Sequence, residues 1–238
     1  MPRRGLSAAH VVGWTHLRRS HERAPSNPGC VRLAPHFWRL CGLTCSAICA
    51  RAEHRVLFDF TTGETAGHTG GREWTTASDA AWGGKSVAAF DREARSAAFR
   101  GVTSLELPTD GAASRTGFCA ARSSPWPDHE LVDCDDYGAL ELCLRTDGRT
   151  YGINLDVDSF FTGELFQGFL TLPASPEWRT VILPFEKFVL TRGGRFTERQ
   201  RYLDRRQVRS LGFSITDGKH GPFRLEIRHV RAVEPVVP

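Results

Sequence analysis

Three residues of the sequence, Gly84-Lys85-Ser86, match the end of a nucleotide-binding phosphate loop. A complete loop has a further glycine five positions before its second glycine, because successive backbone N–H groups must wrap the phosphates. Asp79 stands at that position, and its carboxylate would repel a phosphate. The run Trp74–Ser78 is also not the apolar strand that leads into such a loop. We therefore interpret Gly83 and Gly84 as a turn that uses the backbone freedom of glycine.

An acidic run and a single histidine offer weaker chemical signals. The run consists of Glu130, Asp133, Asp135 and Asp136. Its oxygens could bind calcium, but the run lacks the glycine-centred spacing of a recognised calcium loop, which favours a solvated acidic loop. His220 has only Asp217 as a partner nearby in the sequence, across an expected turn. These residues predict loops rather than a catalytic site.

Sequence motifs of common enzymes are absent: no GxSxG, HExxH, GxGxxG or CxxC pattern occurs. A basic run could grip phosphates or an acidic partner, but acids interrupt it, so a charged helix face is the plainer interpretation. The run contains Arg199, Arg201, Arg205, Arg206 and Arg209. We therefore predict no enzyme activity, no cofactor, no metal and no nucleic-acid partner.

The net charge of +4 comes from the N-terminal segment. Residues 1–50 hold seven arginines, no lysine and one acid, whereas residues 51–238 hold 24 basic and 26 acidic residues. An arginine-containing segment almost free of acids is typical of organelle transit peptides, because an inside-negative membrane potential draws positive charge. We expect residues 1–52 to be a leader for the mitochondrion, with the plastid as the alternative destination. A disordered basic tail without an address is the other interpretation.

Cys41, Cys45 and Cys49 recur every four residues near the end of that segment. On a helix they would share one face, but the only further metal ligands nearby are His36 and His54, and the stretch is too short to cross a bilayer. We interpret the three cysteines as small apolar residues. The odd total of seven cysteines, without disulfide spacing in the main body, favours a reducing compartment.

The rest of the chain reads as short strands separated by turn signals, which predicts an all-β fold, a sandwich or a barrel. The predicted strands cover residues 56–58, 102–107, 117–121, 139–144, 151–155, 166–172, 178–185, 208–215 and 223–230. Residues 86–90 and 97–100 are expected to form a further hairpin, with Asp91-Arg92-Glu93 at its tip, although alanine content alone favours a helix there. One short helix is expected after Asp204, which can cap it, with Gln207 at its third position.

The clearest unit is a predicted hairpin over residues 139–156, with one buried face. Leucines alternate with polar residues on both sides of a tight turn at Asp147-Gly148. The opposite face carries a polar row that could bind a ligand or form a solvated sheet face. This row consists of Glu141, Arg145, Asn154 and Asp156.

Taken together, the motifs of the main body resemble the complex I intermediate-associated protein family, whose members help to assemble respiratory NADH dehydrogenase. The matching pieces include Trp74 with Ser78-Asp79 and Gly83-Gly84-Lys85-Ser86, Phe99-Arg100-Gly101, Gly117-Phe118-Cys119-Ala120, Tyr137-Gly138-Ala139-Leu140, Arg145-Thr146-Asp147-Gly148-Arg149, Leu183-Pro184-Phe185, Arg192-Gly193-Gly194-Arg195 and Leu211-Gly212-Phe213-Ser214-Ile215-Thr216-Asp217. They follow one another in the order of the family. The sequence departs from the family's usual run at residues 123–136 and 162–165.

The resemblance implies a galactose-binding-like jelly roll over residues 53–234, followed by a tail at 235–238, and an assembly chaperone without catalytic residues. The expected partners are subunits or assembly intermediates of complex I and other assembly factors, with the protein peripheral to a membrane and not spanning it. Exposed aromatic side chains are the expected contacts, namely Trp82, Trp126, Phe160 and Phe161. Of the neighbours Phe160 and Phe161, only one can face inward on a strand.

Two other functions stay open at the level of sequence. A carbohydrate-binding module would need Arg145, Asn154, Asp156 and Trp178 to converge on one site. A permanent accessory subunit of a respiratory or photosynthetic complex would show the same sequence features as a transient chaperone.

Overall fold

The computed structural model describes residues 54–62, 73–109, 111, 113–126, 131–159 and 161–234. Within these residues the chain forms β-strands joined by loops and short 3-10 helices, which confirms the predicted all-β fold. The strands are β1 (His54–Asp59), β2 (Trp74–Ser78), β3 (Val87–Glu93), β4 (Ser96–Thr103), β5 (Cys119–Ser123), β6 (Ala139–Thr146), β7 (Thr150–Val157), β8 (Glu164–Thr171), β9 (Arg179–Pro184), β10 (Val189–Arg192), β11 (Arg195–Phe196), β12 (Val208–Ile215) and β13 (Gly221–Val233).

The strands form two antiparallel sheets that enclose one core. Sheet 1 has the order β3-β4-β13-β6-β9, and β1 pairs with the second half of the long strand β13. Sheet 2 has the order β11-β10-β8-β7-β12-β5-β2. Because side chains alternate along each strand, each sheet turns one apolar face inward. Phe99, Leu142 and Ile227 of sheet 1 and Ile153 and Phe213 of sheet 2 are fully buried in this core.

The loops between strands lie at two opposite ends of the sandwich. At the Gly148 end, β6 passes into β7, β12 passes into β13, and the chain crosses from β2 to β3. At the Glu164 end, β7 passes into β8 and β10 passes into β11. The register of sheet 2 places these two sets of loops at opposite ends of its strands.

The predicted hairpin of residues 139–156 is wrong. Strand β6 pairs with β13 and β9 in sheet 1, whereas β7 pairs with β8 and β12 in sheet 2. Asp147 and Gly148 therefore carry the chain from one sheet to the other, and Gly148 adopts a φ of 91° that favours glycine. The polar row is divided between opposite faces of the sandwich, with Arg145 on sheet 1 and with Asn154 and Asp156 on sheet 2.

Other predicted elements differ mainly at their ends. The hairpin of β3 and β4 is confirmed, but β3 continues through Glu93, so the turn lies at residues 94–95. Strand β4 ends at Thr103, and residues 104–107 are loop. The helix after Asp204 is one 3-10 turn, Arg205–Gln207, capped by the Asp204 side chain. The sequence pattern does not predict β2, β10 and β11, because apolar and polar residues do not alternate along these short strands.

Candidate functional site

The bend at residues 83–86 is built around the buried carboxylate of Asp79. Asp79 begins a 3-10 helix, Asp79–Trp82, on the path from β2 of sheet 2 to β3 of sheet 1. Its Oδ1 accepts a hydrogen bond from the Ser86 amide at 2.9 Å, and its Oδ2 accepts one from the Ser86 hydroxyl at 2.7 Å. Oδ2 also accepts from the amides of Gly117 at 2.6 Å and Phe118 at 3.1 Å. One carboxylate therefore ties two distant loops together.

These contacts explain why the bend does not form a phosphate loop. The Ser86 amide already donates to Asp79, so the carboxylate of the chain itself occupies the position of an anion. Gly84 is required by close packing, because a Cβ there would lie 2.3 Å from Oδ1 of Asp79. Gly83 has a φ of 82°, in the left-handed region. The interpretation of the two glycines as a turn is confirmed.

A buried ion pair between Arg149 and Asp217 lies at the same end of the sandwich. The Arg149 side chain is 10% exposed and that of Asp217 is 4% exposed. The guanidinium binds both carboxylate oxygens of Asp217. It also donates to four further oxygens, those of Thr103 at the end of β4, Lys219 in the loop before β13, and Gly221 and Pro222 at the start of β13. Asp217 therefore pairs with Arg149 and not with His220, the partner that its sequence position suggested.

Exposed apolar side chains concentrate beside the Asp79 bend. Of the eleven large hydrophobic side chains that are exposed among the described residues, five lie in the segments 82–87 and 102–107. These five are Trp82, Val87, Val102, Leu105 and Leu107, and we call them the apolar corner. Val87 and Val102 are cross-strand partners, and Lys85 pairs with Glu106, so the two segments lie side by side. Trp82 is 56% exposed, as the sequence predicts.

The outer face of sheet 2 brings Asn154 and Asp156 together with polar side chains of neighbouring strands. Gln167 Nε2 donates to Asn154 Oδ1 at 2.8 Å. Arg122 and the Ser210 hydroxyl each lie 3.5 Å from Oδ2 of Asp156. Asp156 is thus a largely buried carboxylate with only long contacts. A carboxylate, two amides and a guanidinium on one sheet face can bind a polar ligand.

Sequence reasoning missed part of this polar face. The missed residues are Arg122, Gln167, Ser210 and Ser214. Strand β12 carried a usable signal, because Ser210 and Ser214 alternate with the core residues Leu211, Phe213 and Ile215. Both serines are buried beneath the neighbouring polar side chains, and their hydroxyls lie 3.5 Å from Asp156 and 3.4 Å from Asn154. The contribution of Arg122 and Gln167 depends on which strands are neighbours, which the sequence does not give.

Replacing Asp156 with asparagine is expected to stabilise the fold at neutral pH by about 1 kcal/mol. Burial raises the pKa of the Asp156 carboxyl, and Arg209 and Arg122 offset this only in part. A carboxyl whose native pKa is raised loses stability as the pH rises through the unfolded pKa near 4, and the loss is complete above the native pKa. The gain should therefore vanish at about pH 3, below both values. Urea unfolding at both pH values measures it, and a variant less stable at neutral pH would contradict this reading.

Arg145 and Trp178 belong to a separate cluster on sheet 1. The Arg145 guanidinium forms two hydrogen bonds of 2.6 Å with Glu226. It also lies 4.9 Å from the centre of the Trp178 ring, and the guanidinium of Arg228 lies 4.2 Å from that centre. Because Arg145 and Asn154 are in different sheets, the four residues considered for a carbohydrate site do not converge.

The predicted aromatic contacts have different environments. Trp126 is only 7% exposed and packs on Phe58, with ring centres 5.7 Å apart, so the expectation of an exposed Trp126 is wrong. The physical reason is that the segment after β5 folds back over the core, where the Trp126 amide donates to the carbonyl of Arg209. Phe161 is exposed, but it lies at the Glu164 end, away from Trp82.

Several predictions concern residues outside the described part of the chain. Phe160, the proposed leader at residues 1–52, and Cys41, Cys45 and Cys49 all lie there. Their roles stay predictions.

The described residues hold no group of His, Cys, Asp or Glu side chains suited to a metal ion. Asp135, from the acidic run, pairs with Arg206 at 2.6 Å instead. Burial raises the pKa of the Cys119 and Cys134 thiols to about 12, so neither is a thiolate nucleophile at neutral pH. No helix in the same residues has the length and apolarity of a membrane span.

Comparison with protein families identifies the domain. A family model described as complex I intermediate-associated protein 30 matches residues 58–227, which is more than half of the chain. The chain belongs to the complex I intermediate-associated protein 30 family. The family resemblance found from sequence motifs is thereby confirmed.

Two curated relatives are named "Complex I intermediate-associated protein 30, mitochondrial". The relative from Neurospora crassa is 37% identical over 141 residues, covering 57% of this chain and 51% of the relative. The relative from Drosophila melanogaster is 32% identical over 189 residues, covering 75% of this chain and 62% of the relative. The chain thus spans between half and two thirds of the length of these two proteins. Their names agree with the mitochondrial localisation predicted for this family member.

A solved structure shares the fold of this family member. It is the family 11 carbohydrate-binding module of cellulosomal cellulase Lic26A-Cel5E of Clostridium thermocellum. The TM-score is 0.52 at 14% sequence identity, covering 76% of this chain and 95% of the module. At this identity the likeness concerns the fold alone, and it agrees with the predicted galactose-binding-like sandwich.

Three of the motifs that identify the complex I intermediate-associated protein 30 family in this chain lie at structural joints. Ser78-Asp79 and residues 83–86 form the bend around the Asp79 carboxylate. Arg149 and Asp217, which come from two further motifs, form the buried pair at the same end. All three motifs therefore have a structural explanation.

Proposed function

We propose that this chain is an assembly factor of respiratory complex I that acts as a non-catalytic scaffold for assembly intermediates. Family membership and the names of the relatives support the assembly role. The apolar corner is the observation that carries the scaffold part of the proposal. It offers a surface for another protein on a rigid sandwich.

The composition of the apolar corner favours a protein partner. Large exposed apolar patches are uncommon on soluble domains and mark interaction sites, and a tryptophan is a frequent energetic centre of an interface. Trp82 is exposed in the corner, and its ring centre lies 6.5 Å from that of Phe118. Lys85 and Glu106 form a polar rim beside the valines and leucines. An apolar centre with a charged rim is the usual anatomy of a protein interface.

The scaffold would act by covering apolar surface of a partner subunit. A subunit that has not yet met its permanent neighbours exposes surface that promotes aggregation. The corner binds that surface through shape and burial, without making or breaking covalent bonds. Release then requires only that a permanent neighbour binds the same surface more tightly.

Affinity purification from mitochondrial extract tests the proposed function. The full chain, tagged at its C-terminus, is expected to recover complex I subunits in sub-complexes smaller than the mature enzyme. Stoichiometric co-migration with the mature complex would identify a permanent subunit instead. Recovery of no complex I subunit would contradict the proposal.

Replacing Trp82 with serine is expected to reduce the recovery of complex I subunits about tenfold or more. The physical reason is that loss of a central aromatic side chain typically weakens an interface by about 2 kcal/mol or more. The fold should be unaffected, because Trp82 is exposed. Tyr202→Ser is the matched control, because Tyr202 is also an exposed aromatic residue. It lies in the loop after β11, which the hydrogen bond from Arg201 to Glu164 joins to the Glu164 end of the sandwich. Equal recovery with both variants would show that the corner is not the contact.

Saccharide binding by the outer face of sheet 2 is a second candidate function. The observation in its favour is the under-bonded carboxylate of Asp156 beside Asn154, Gln167 and Arg122. The exposed ring of Phe169 on β8 could pack against a sugar. Calorimetric titration with soluble β-glucan oligosaccharides tests this candidate. Binding that Asp156→Asn weakens would support it, and absence of heat would remove it.

A further inference from the structure

A second surface of unusual composition lies at the Glu164 end of the sandwich. It is formed by the β10–β11 hairpin with the loop that follows it, and by residues 161–163 just before β8. We call its exposed aromatic and basic residues the arginine lobe. The lobe consists of Phe161, Arg192, Arg195, Phe196, Arg199 and Tyr202.

The arginine lobe is a fixed structure rather than a loose tail. The buried Glu164 carboxylate accepts from Arg192 and Arg201 at 2.7 Å each, which ties the two loops together. The Gln200 side chain accepts from the Leu190 amide at 2.7 Å and donates to the Leu190 carbonyl at 3.0 Å. These bonds hold the backbone that carries the exposed side chains. A ligand would therefore meet a preorganised surface.

Positive charge exceeds negative charge in the lobe. Residues 192–202 contain four arginines and one acid, Glu198. The single carboxylate of Glu164 is shared by Arg192 and Arg201. Arg195 and Arg199 are exposed and form no ion pair with any residue that the structure describes. Two guanidinium groups are thus available for an anionic ligand.

Exposed aromatic rings lie among these arginines. Phe161, Phe196 and Tyr202 are 60%, 69% and 98% exposed. The guanidinium of Arg192 lies 4.8 Å from the centre of the Phe161 ring. The Phe196 ring contacts the half-exposed ring of Phe169 at 6.1 Å. The lobe therefore presents apolar rings and positive charge side by side at the edge of sheet 2.

We propose that the arginine lobe binds a bilayer with anionic phospholipids. Apolar rings and guanidinium groups side by side match the bilayer interface, where the acyl boundary lies just beneath a layer of phosphates. Phenylalanine and tyrosine rings enter the boundary while arginines contact the phosphates. An acidic protein surface would satisfy the arginines but would leave the three rings in contact with polar groups. The lobe and the apolar corner lie at opposite ends, so the chain can hold a membrane and a protein together.

Vesicle co-sedimentation of the full chain tests this inference. The vesicles contain phosphatidylcholine alone or phosphatidylcholine with cardiolipin. Wild type is expected to sediment with the cardiolipin vesicles. The partition coefficient should fall at least about tenfold for Arg195→Glu/Arg199→Glu, because each basic residue near an anionic surface contributes appreciably to the binding free energy. Phe196→Ser/Tyr202→Ser should also lower it. Arg115→Glu/Arg179→Glu makes the same change of charge at exposed positions and should leave binding unchanged, since charges more than about 10 Å from the surface are screened.

The outcomes separate the lipid from other partners. Equal partition of the wild type to both kinds of vesicle, or unchanged binding by Arg195→Glu/Arg199→Glu, would overturn the inference. Retention on immobilised poly-glutamate without vesicle binding would also overturn it and would identify an acidic polypeptide as the partner. Thermal unfolding of each variant shows that lost binding does not come from lost folding. If the vesicle test fails, the proposed scaffold function is not affected. That function is tested by the recovery of complex I subunits from detergent extract, which contains no bilayer.

Discussion

Replacing Arg149 with alanine is expected to lower the free energy of unfolding by about 3–5 kcal/mol. The substitution leaves the Asp217 carboxylate buried without its counter-charge, and it leaves four further oxygens without their donor. A buried charge without a partner is among the largest single effects on stability. Many domains have a total stability of only about 5–15 kcal/mol, so this loss removes a large fraction of the total.

Urea unfolding of the full chain, followed by tryptophan fluorescence, measures this effect. Arg100→Ala is the matched control, because Arg100 pairs with Asp91 at 2.6 Å while both side chains are about half exposed. Its cost should be below about 1 kcal/mol. The double variant Arg149→Met/Asp217→Leu should be more stable than Arg149→Ala, since no charge is then left unpaired. An Arg149→Ala variant as stable as Arg100→Ala would contradict the role given to this pair.

Replacing Asp79 with asparagine is expected to lower the free energy of unfolding by about 3 kcal/mol. The carboxylate accepts from three amides and a hydroxyl, whereas an asparagine side chain turns an N–H₂ group toward at least one of these donors. Each buried donor left without an acceptor costs about 1–3 kcal/mol. Thermal and urea unfolding of the full chain measure the change.

The pH dependence of the Asp79 variant gives a sharper test. Burial alone would raise the pKa of the Asp79 carboxyl, but hydrogen bonds from Phe118, Ser86 and Gly117 outweigh burial and hold the pKa below its ordinary value. Stability from a carboxyl with a lowered native pKa is complete above the unfolded pKa near 4 and is lost as the pH falls through the native pKa. The difference between wild type and Asp79→Asn should therefore shrink below about pH 4. A constant difference at all pH values would refute this account.

Gly84 supplies a control for the geometry of the same bend. Gly84→Ala places a methyl group against Asp79 and should destabilise the wild type. The same change should cost less in an Asp79→Ala background, because the clashing carboxylate is gone. Strict additivity of the two changes would show that Gly84 and Asp79 are not in contact.

The all-β class followed from the sequence because strand alternation is a local property. Leu140, Leu142 and Leu144 alternate whether β6 pairs with β7 or with β13. The sequence therefore placed the strand correctly and its partner wrongly, since pairing with Val230 of β13 links residues far apart in the chain. Strand β2 was missed for a related reason. Its Trp74 packs on Phe90 at 4.0 Å, but its other residues are small or polar, and three of the four are exposed.

The candidate sites, like the fold, could be predicted only where they depend on local sequence. Exposure of Trp82 was predictable from a tryptophan beside a glycine turn, and Asp79 in place of the first glycine of a phosphate loop correctly predicted a turn at residues 83–86. The donors that bind Asp79 were not predictable, because Gly117 lies on a distant loop. Only part of the polar face around Asp156 could be predicted from the sequence, for the same reason. Arg122 reaches it from β5, whose place in sheet 2 depends on pairing with β12.

Photo-crosslinking from position 82 tests the central claim most directly. The full chain carrying p-benzoylphenylalanine in place of Trp82 is imported into mitochondria and irradiated, with the same substitution at Tyr202 as the control. We predict crosslinks from position 82 to a complex I subunit that migrate with assembly intermediates, and no such crosslink from position 202. Crosslinks from position 82 to lipid alone, or no crosslink at all, while the chain is imported and folded, would contradict a scaffold that binds through the apolar corner.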